Sequence, residues 1–441
     1  MSAQPVTDRR RFMAATGSAF AALVASGCAL RGGLASGGGT SVGYGPLVPD
    51  PAGLLDLPAG FSYRVLSRLG DTMEDGFTVP DRADGMGCFD IGGGLIALVR
   101  NHELPPGVDA GGKLPKGYGK GPDGEFLPGG TTTVVLDAAT LEVDRAYRTL
   151  AGTVRNCAGG TTPWNSWLTC EEPGSRGLAA MPDHGYVFEV PAAAGGLVDA
   201  VPLKAMGRFN HEAACVDPAT GAVYMTEDQD DGLFYRFLPA QPGVLVKGGR
   251  LQALSLGKDL GDSSNKSAPR LARGQAYPAR WIDLDDVTSP LDDLRKRGAA
   301  AGATTFARGE GVHMGQDAVY FCCTSGGAAG LGQIFRLTPS RSDRADRLEL
   351  FFESDSPDQF NFGDNLTVAP NGHLVVCEDQ YTDVVDNHLR GIDRAGRPYD
   401  IARLRAQTEL AGACFSPDGR TLFVNVYSPA ATLAIVGPWA A

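Results

Sequence analysis

The chain has 441 residues, 43% hydrophobic and 20% charged, with 60 Gly and 29 Pro. That mix belongs to a soluble globular protein with many turns and little long helix. The formal net charge of -12 argues against a nucleic-acid partner, whose phosphates would be repelled, and suits a protein that gathers cations with carboxylates.

Residues 1–30 read as a targeting segment. Arg9-Arg10-Arg11-Phe12-Met13 precedes a mildly apolar stretch, Ala14 to Ala29. A twin-arginine pair in that setting is the signature of Tat export. The stretch is too short and too rich in Ala and Gly for a permanent membrane span. The Tat translocase is therefore the expected partner during export, and the periplasm or the exterior the expected destination. Cys28 follows Ala25-Ser26-Gly27, a lipobox-like run with Ala25 where Leu is usual, so a lipid anchor at Cys28 stands as an alternative to plain cleavage. Residues 31–48 are rich in Gly and Ser and read as a flexible tether. That leaves 49–441 as one folded domain, expected to be a monomer.

Nine Cys are present, yet their spacing forms neither a disulfide framework nor a CxxC metal pair. Cys322-Cys323 should point to opposite faces of a strand. Most of the others read as small buried apolar residues.

In chain order, short β-rich runs alternate with turns. The first is Leu95-Ile96-Ala97-Leu98-Val99, ending in Asn101-His102-Glu103. A repeat then appears. Trp167-Leu168-Thr169-Cys170-Glu171-Glu172 leads through a Gly-rich turn to Gly185–Pro191. Val223-Tyr224-Met225-Thr226-Glu227-Asp228 leads to Gly232–Pro239. A helix is expected after Ser289, with Ser289 as N-cap, Pro290 as first residue and Gly298 as the stop. Val319-Tyr320-Phe321-Cys322-Cys323-Thr324 leads to Gly332–Pro339, and Leu374-Val375-Val376-Cys377-Glu378-Asp379 opens a fourth copy. Val216–Gly221 and Phe415–Gly419 read as hairpin turns. One such unit cannot bury both of its faces, whereas a ring of them can, which predicts an all-β β-propeller. About 390 mature residues, at roughly 40–65 per blade, allow six or seven blades. A large β-sandwich is the alternative.

The carboxylates carry the chemistry. Glu171-Glu172, Glu227-Asp228 and Glu378-Asp379 end equivalent strands and should converge near a propeller axis. Like charges that close call for cations, and a hard metal bound through oxygen is the simplest answer. Asn101-His102-Glu103 and Asn210-His211-Glu212 share a triplet that could place a Glu ligand beside a supporting His. Arg308-Gly309-Glu310-Gly311 sets a cation beside a carboxylate, and Arg is the natural bidentate partner of a phosphate. An ordinary surface ion pair is the plainer reading.

The run Arg155-Asn156-Cys157-Ala158-Gly159-Gly160-Thr161-Thr162-Pro163-Trp164-Asn165-Ser166-Trp167-Leu168-Thr169-Cys170-Glu171-Glu172 resembles the signature block of the PhoX alkaline phosphatases. The resemblance continues, in order, through Asp84-Gly85-Met86, Asn101-His102-Glu103, Gly207 to Ala214, Thr226-Glu227-Asp228, Arg308-Gly309-Glu310-Gly311 and Asp364-Asn365-Leu366 to Glu378-Asp379. It implies a six-bladed propeller with two oxo-bridged ferric ions and two or three calcium ions in the axial funnel. It places an iron thiolate ligand at Cys157 and carboxylate ligands at Glu172 and Glu310. It puts a phosphate-binding arginine at Arg308. Less directly, it assigns metal-ligand roles to Glu103, Glu212, Glu227, Glu378 and Glu171, with Asp228 and Asp379 as rival neighbours. A soft thiolate among hard carboxylates fits a mixed cluster. The implied activity is hydrolysis of small phosphate monoesters. The rivals are a calcium-dependent propeller hydrolase of phosphodiesters, triesters or lactones, and a metal-stabilised binding propeller without catalysis. Cys157 discriminates, since a calcium-only site has no use for a thiolate; its plainer alternative is a buried thiol against Trp164 or Trp167.

Overall fold

Apolar runs cut by Asp, Gly and Pro turns fold into antiparallel meanders, and here the meanders close into a ring. The computed structural model describes residues 42–174, 181–268, 270–380 and 382–439; the expected signal segment lies outside them, as does most of the tether. The first blade comprises Ala83–Gly92, Leu95–His102, Gly129–Asp137 and Val143–Thr153, and the second Asn156–Thr161, Ser166–Glu171 and Val187–Pro191. The third is His211–Val216, Val223–Glu227, Gly232–Pro239 and Gly249–Ser255; the fourth is Gly309–Met314, Val319–Cys323, Gln333–Thr338 and Asp346–Glu353. Gly363–Val368, Leu374–Glu378, His388–Ile392 and Pro398–Leu404 make the fifth. The sixth holds Leu410–Phe415, Thr421–Val426 and Ala431–Val436, and Ser62–Arg68 from the start of the fold completes it. The first strand of each blade touches that of the next, and the sixth touches the first. This is the all-β propeller arrangement that the repeat predicts. Ala276–Asp283 pairs with Gly249–Ser255 and with Asp346–Glu353, so the third and fourth blades share one hydrogen-bonded sheet.

Strand alternation explains the core. Successive side chains face opposite sides of a blade, so each blade feeds two interfaces, and apolar clusters fill the gap between every neighbouring pair. Cys322 packs with the fifth blade and Cys323 with the third, the opposed placement expected of that pair. Eight free cysteines are described, all buried except the half-buried Cys88.

Two expectations change. Leu47 and Val48, expected within the tether, belong to the fold: they pair with Pro58 and Leu57 at the edge of the fifth blade. Just ahead of that strand, Tyr44 packs edge-on against Phe61, Tyr399 and Trp439. The helix spans Leu294–Ala300 rather than beginning at Pro290. Ser289 still acts at its entrance, its Oγ accepting from the N–H groups of Asp293 and Leu294 at 2.9 and 3.0 Å. Gly298 lies inside the helix rather than ending it, and its lack of a side chain lets it approach Leu233, where a Cβ would stand 2.6 Å away.

Candidate metal centre

Each inner strand carries a β-bulge at the same height. The register slips between Ala83 and Met86, Asn156 and Gly159, His211 and Ala214, Gly309 and Val312, Gly363 and Leu366, and Ala411 and Cys414. A bulge bends its strand and re-aims a side chain. The residues so placed, blade by blade, are Asp84, Cys157, Glu212, Glu310, Asp364 and, in the sixth blade, Gly412.

Side-chain hydrogen bonds pin the bulges. Trp167 Nε1 donates to Asn101 Oδ1 at 2.9 Å, and Asn101 Nδ2 donates to the carbonyls of Cys157 and Ala158 at 3.0 and 2.7 Å. Asn425 donates to the Asp84 carbonyl at 2.6 Å, and Thr226 holds Ala213 and Glu310. Gly85 and Gly311 are demanded by close approach, since a Cβ would fall 2.5 Å from Ala158 Cα in one case and 2.5 Å from the Leu366 nitrogen in the other.

Two further sets of equivalent residues surround the bulges. Just past each second strand stand Glu103, Glu172, Asp228, Thr324, Asp379 and Tyr427. Just before each first strand stand Arg82, Arg155, Asn210, Arg308, Phe362 and Glu409. In every blade the N–H of the first set donates to the carbonyl of the second, at 2.8 to 3.3 Å. Arg82, Arg155, Arg308 and Phe362 all adopt left-handed φ, between 45° and 55°.

These sets bring three groups of potential ligands together, with donor atoms in each group within 4.8 Å: Glu103, Cys157 and Glu172; Glu212, Glu310 and Asp364; Asp364, Asp379 and Glu409. Cys157 Sγ lies 3.6 Å from Asp84 Oδ2. Burial, with repulsion from neighbouring acids, raises the carboxyl pKa values. Asp84, Glu172, Glu212, Glu310 and Glu409 stand well above the usual range, and Asp364 reaches about 7. Burial, then the Asp84 charge, also pushes up the Cys157 thiol. Arginines offset part of the charge. Arg155 pairs with Glu103 and, at 3.1 Å, with Glu172. Arg308 contacts both oxygens of Asp228 at 2.7 and 3.1 Å and Glu310 at 2.8 Å. The Tyr427 hydroxyl donates to Glu103.

A cation fits this arrangement. Asp84 Oδ1 and Glu212 Oε1 are buried without a hydrogen-bond partner, and an uncompensated buried carboxylate costs several kcal/mol, of order 3–5, when nothing pairs with it. Oxygen donors suit a hard ion, and the single thiol suits a transition metal.

Of the expected site residues, Cys157, Glu103, Glu172, Glu212, Glu310 and Arg308 are brought together. Glu171, Glu227 and Glu378 are not, which corrects the expectation. Glu171 accepts from the N–H groups of Val154, Gly185 and Tyr186 and pairs with His184. Glu227 accepts from Leu233 N–H and the Tyr235 hydroxyl. Glu378 accepts from Asn361 and His388 N–H and pairs with Arg390. Alternation is the reason: in these three strands the last residue locks its own blade, and the next residue turns toward the axis. The two Asn-His-Glu triplets also differ, the first ending a second strand and the other opening a first strand. Neither His supports a ligand: His102 bridges the Asp81 carbonyl and Thr132, and His211 bonds the Gly207 carbonyl while stacked on Phe209. Asp379 is the second acid of an expected pair, whereas Asp84, Asp364, Glu409, Arg155 and Tyr427 were not singled out by the acidic-pair pattern. The signal for Asp84 and Asp364 is a small or amide residue immediately after an acid at a strand start, as in Asp84-Gly85 and Asp364-Asn365.

The family profile described as alkaline phosphatase PhoX matches residues 42–139 and 129–430. Among solved structures, Pseudomonas fluorescens PhoX in complex with vanadate, a transition state analogue, is similar at 19% identity and a TM-score of 0.68, covering 87% of this chain and 96% of that one. A gluconolactonase from Xanthomonas campestris is similar at 13% identity and a TM-score of 0.41, covering 90% of this chain and 99% of that one. No curated protein matches the sequence. With the family profile spanning nearly the whole fold, the chain belongs to the PhoX family of alkaline phosphatases.

Proposed function

We propose that this alkaline phosphatase hydrolyses phosphate monoesters at an iron–calcium cluster in the propeller funnel. The supporting observation is the single thiol of Cys157 on a bulge between Asp84 and Glu212, among carboxylates whose charge the described arginines do not balance. Cys157 with Glu103 and Glu172 would hold the softer metal, and Glu212, Glu310, Asp364, Asp379 and Glu409 the hard ions. Bound there, the metals would supply Lewis-acid polarisation of the phosphoryl group. Asp228 and Glu310 hold the Arg308 guanidinium in place before any ester arrives, so little side-chain entropy is lost on binding. Arg308 would orient the phosphoryl oxygens while water adds across the P–O bond and an alcohol leaves. The twin-arginine start of the sequence supports export of the folded, loaded protein by the Tat route.

Metal analysis of the exported protein, coupled to turnover of p-nitrophenyl phosphate, tests this reading. Active protein should contain iron and calcium, and Cys157→Ala should lose iron together with a visible thiolate-to-iron absorption. Active wild-type protein without iron would defeat the mixed cluster, and colour retained in Cys157→Ala would defeat its ligand.

A further inference from the structure

Of the three arginines described at the funnel, two are engaged by carboxylates, Arg155 by Glu103 and Glu172, Arg308 by Asp228 and Glu310. Arg82 is different. Its backbone stands at the equivalent place in the first blade, with φ of 54° and its carbonyl accepting from Glu103 N–H at 2.9 Å. Its guanidinium makes no hydrogen bond or ion pair with any of the described residues. Arg82 is half-buried, two residues before Asp84 on the first blade's bulge. The first and fourth of six blades stand opposite each other around the ring, so the Arg82 backbone stands across it from that of Arg308.

An arginine half-withdrawn from water without a partner loses hydration and gains no ion pair in return. Its planar fork of donors suits two oxygens of a tetrahedral oxyanion. Two forks can grip the three non-bridging oxygens of a monoester dianion if one oxygen accepts from both; a diester monoanion offers two, so the second fork has no oxygen of its own. We propose that Arg82 binds the substrate phosphoryl group opposite Arg308, and that the pair selects dianionic phosphate monoesters over diesters. This rests on the phosphatase reading above.

The test uses metal-loaded full-length protein, with R82Q and R82K beside wild type. The probes are p-nitrophenyl phosphate, bis(p-nitrophenyl) phosphate and inorganic phosphate as inhibitor, and metal content is measured by mass spectrometry. R82Q should raise the monoester KM and the phosphate inhibition constant about tenfold, the scale of one lost charge-assisted fork. Metal content should stay unchanged, and the monoester-to-diester ratio of kcat/KM should fall. R82K, which keeps the charge and loses the fork, should fall between R82Q and wild type. A phosphate inhibition constant within about twofold of wild type in R82Q would overturn the proposal, since a lost fork is worth more than that. Lost metal with parallel loss on both esters would overturn it too, as a structural role. If R82Q does not fold, R82K decides by the same ratio. If wild type hydrolyses neither ester, the phosphatase reading fails, and calorimetric binding of inorganic phosphate to wild type and R82Q still decides whether Arg82 holds an oxyanion.

Discussion

Glu171 and Glu172 are neighbours with different jobs. Glu171 ends a strand and takes four donors from its own blade; Glu172 lies past the strand and joins Cys157 and Glu103. Glu378 and Asp379 repeat the pattern, with Glu378 fully buried against Arg390 at 2.8 Å. Removing one partner of such a buried pair leaves the other uncompensated, at a cost of about 3–5 kcal/mol. Glu378→Ala should therefore lower stability by about that amount in urea unfolding, while its folded fraction keeps the wild-type metal content. A large loss of metal from well-folded Glu378→Ala would return Glu378 to the ligand set. The sequence pattern found the acidic pairs; which member faces the axis depends on where each strand ends, and a one-residue change of frame reverses the answer.

At the scale of elements, the inner-strand bulge is the device that builds the site. Six inner strands crowd one axis, and the residue after the bulge is small where a neighbouring backbone passes. At Gly311 an added Cβ would meet the Leu366 nitrogen at 2.5 Å and the Asp364 carbonyl oxygen at 2.6 Å, both rigid backbone. Gly311→Ala should force the fourth and fifth blades apart, costing about 1–3 kcal/mol or more. It should also weaken metal retention, because Glu310 and Asp364 flank the displaced contact. Chelator titration followed by metal analysis checks this, and retention equal to wild type would show that the bulges can shift without consequence. The block Asn156–Glu172 was legible as a family signature, and it proves to be the first two strands of one blade. Asn156 Nδ2 donates to Thr169 across the pair at 2.9 Å, and Trp167 reaches the bulge through Asn101. The bulges themselves were not legible, since a single extra residue leaves no periodic mark in so short a strand.

For the whole molecule, ring closure matters most. Ser62–Arg68 supplies the outer strand of the sixth blade, pairing along Ala431–Val436, so the two ends of the fold hold each other and every interface has apolar cover on both sides. A chain lacking residues 42–68 would expose the edge of Ala431–Val436 and part of the core around Leu433 and Ile435. It should lose cooperative unfolding by circular dichroism, and addition of the 42–68 segment as a separate peptide should restore it; a cooperative melt without the segment would show that the ring is stable when open. By itself the sequence determined the all-β class, the repeat, the family and the abundance of acids, because strand periodicity, turn residues and a long ordered motif are local features. Only the tertiary structure decided which acids meet, that Glu409 joins them, that Glu171, Glu227 and Glu378 do not, and that Arg82 has no partner among the described residues. Those outcomes depend on matching heights on six blades, set by hydrogen-bond register between strands that lie far apart in the chain.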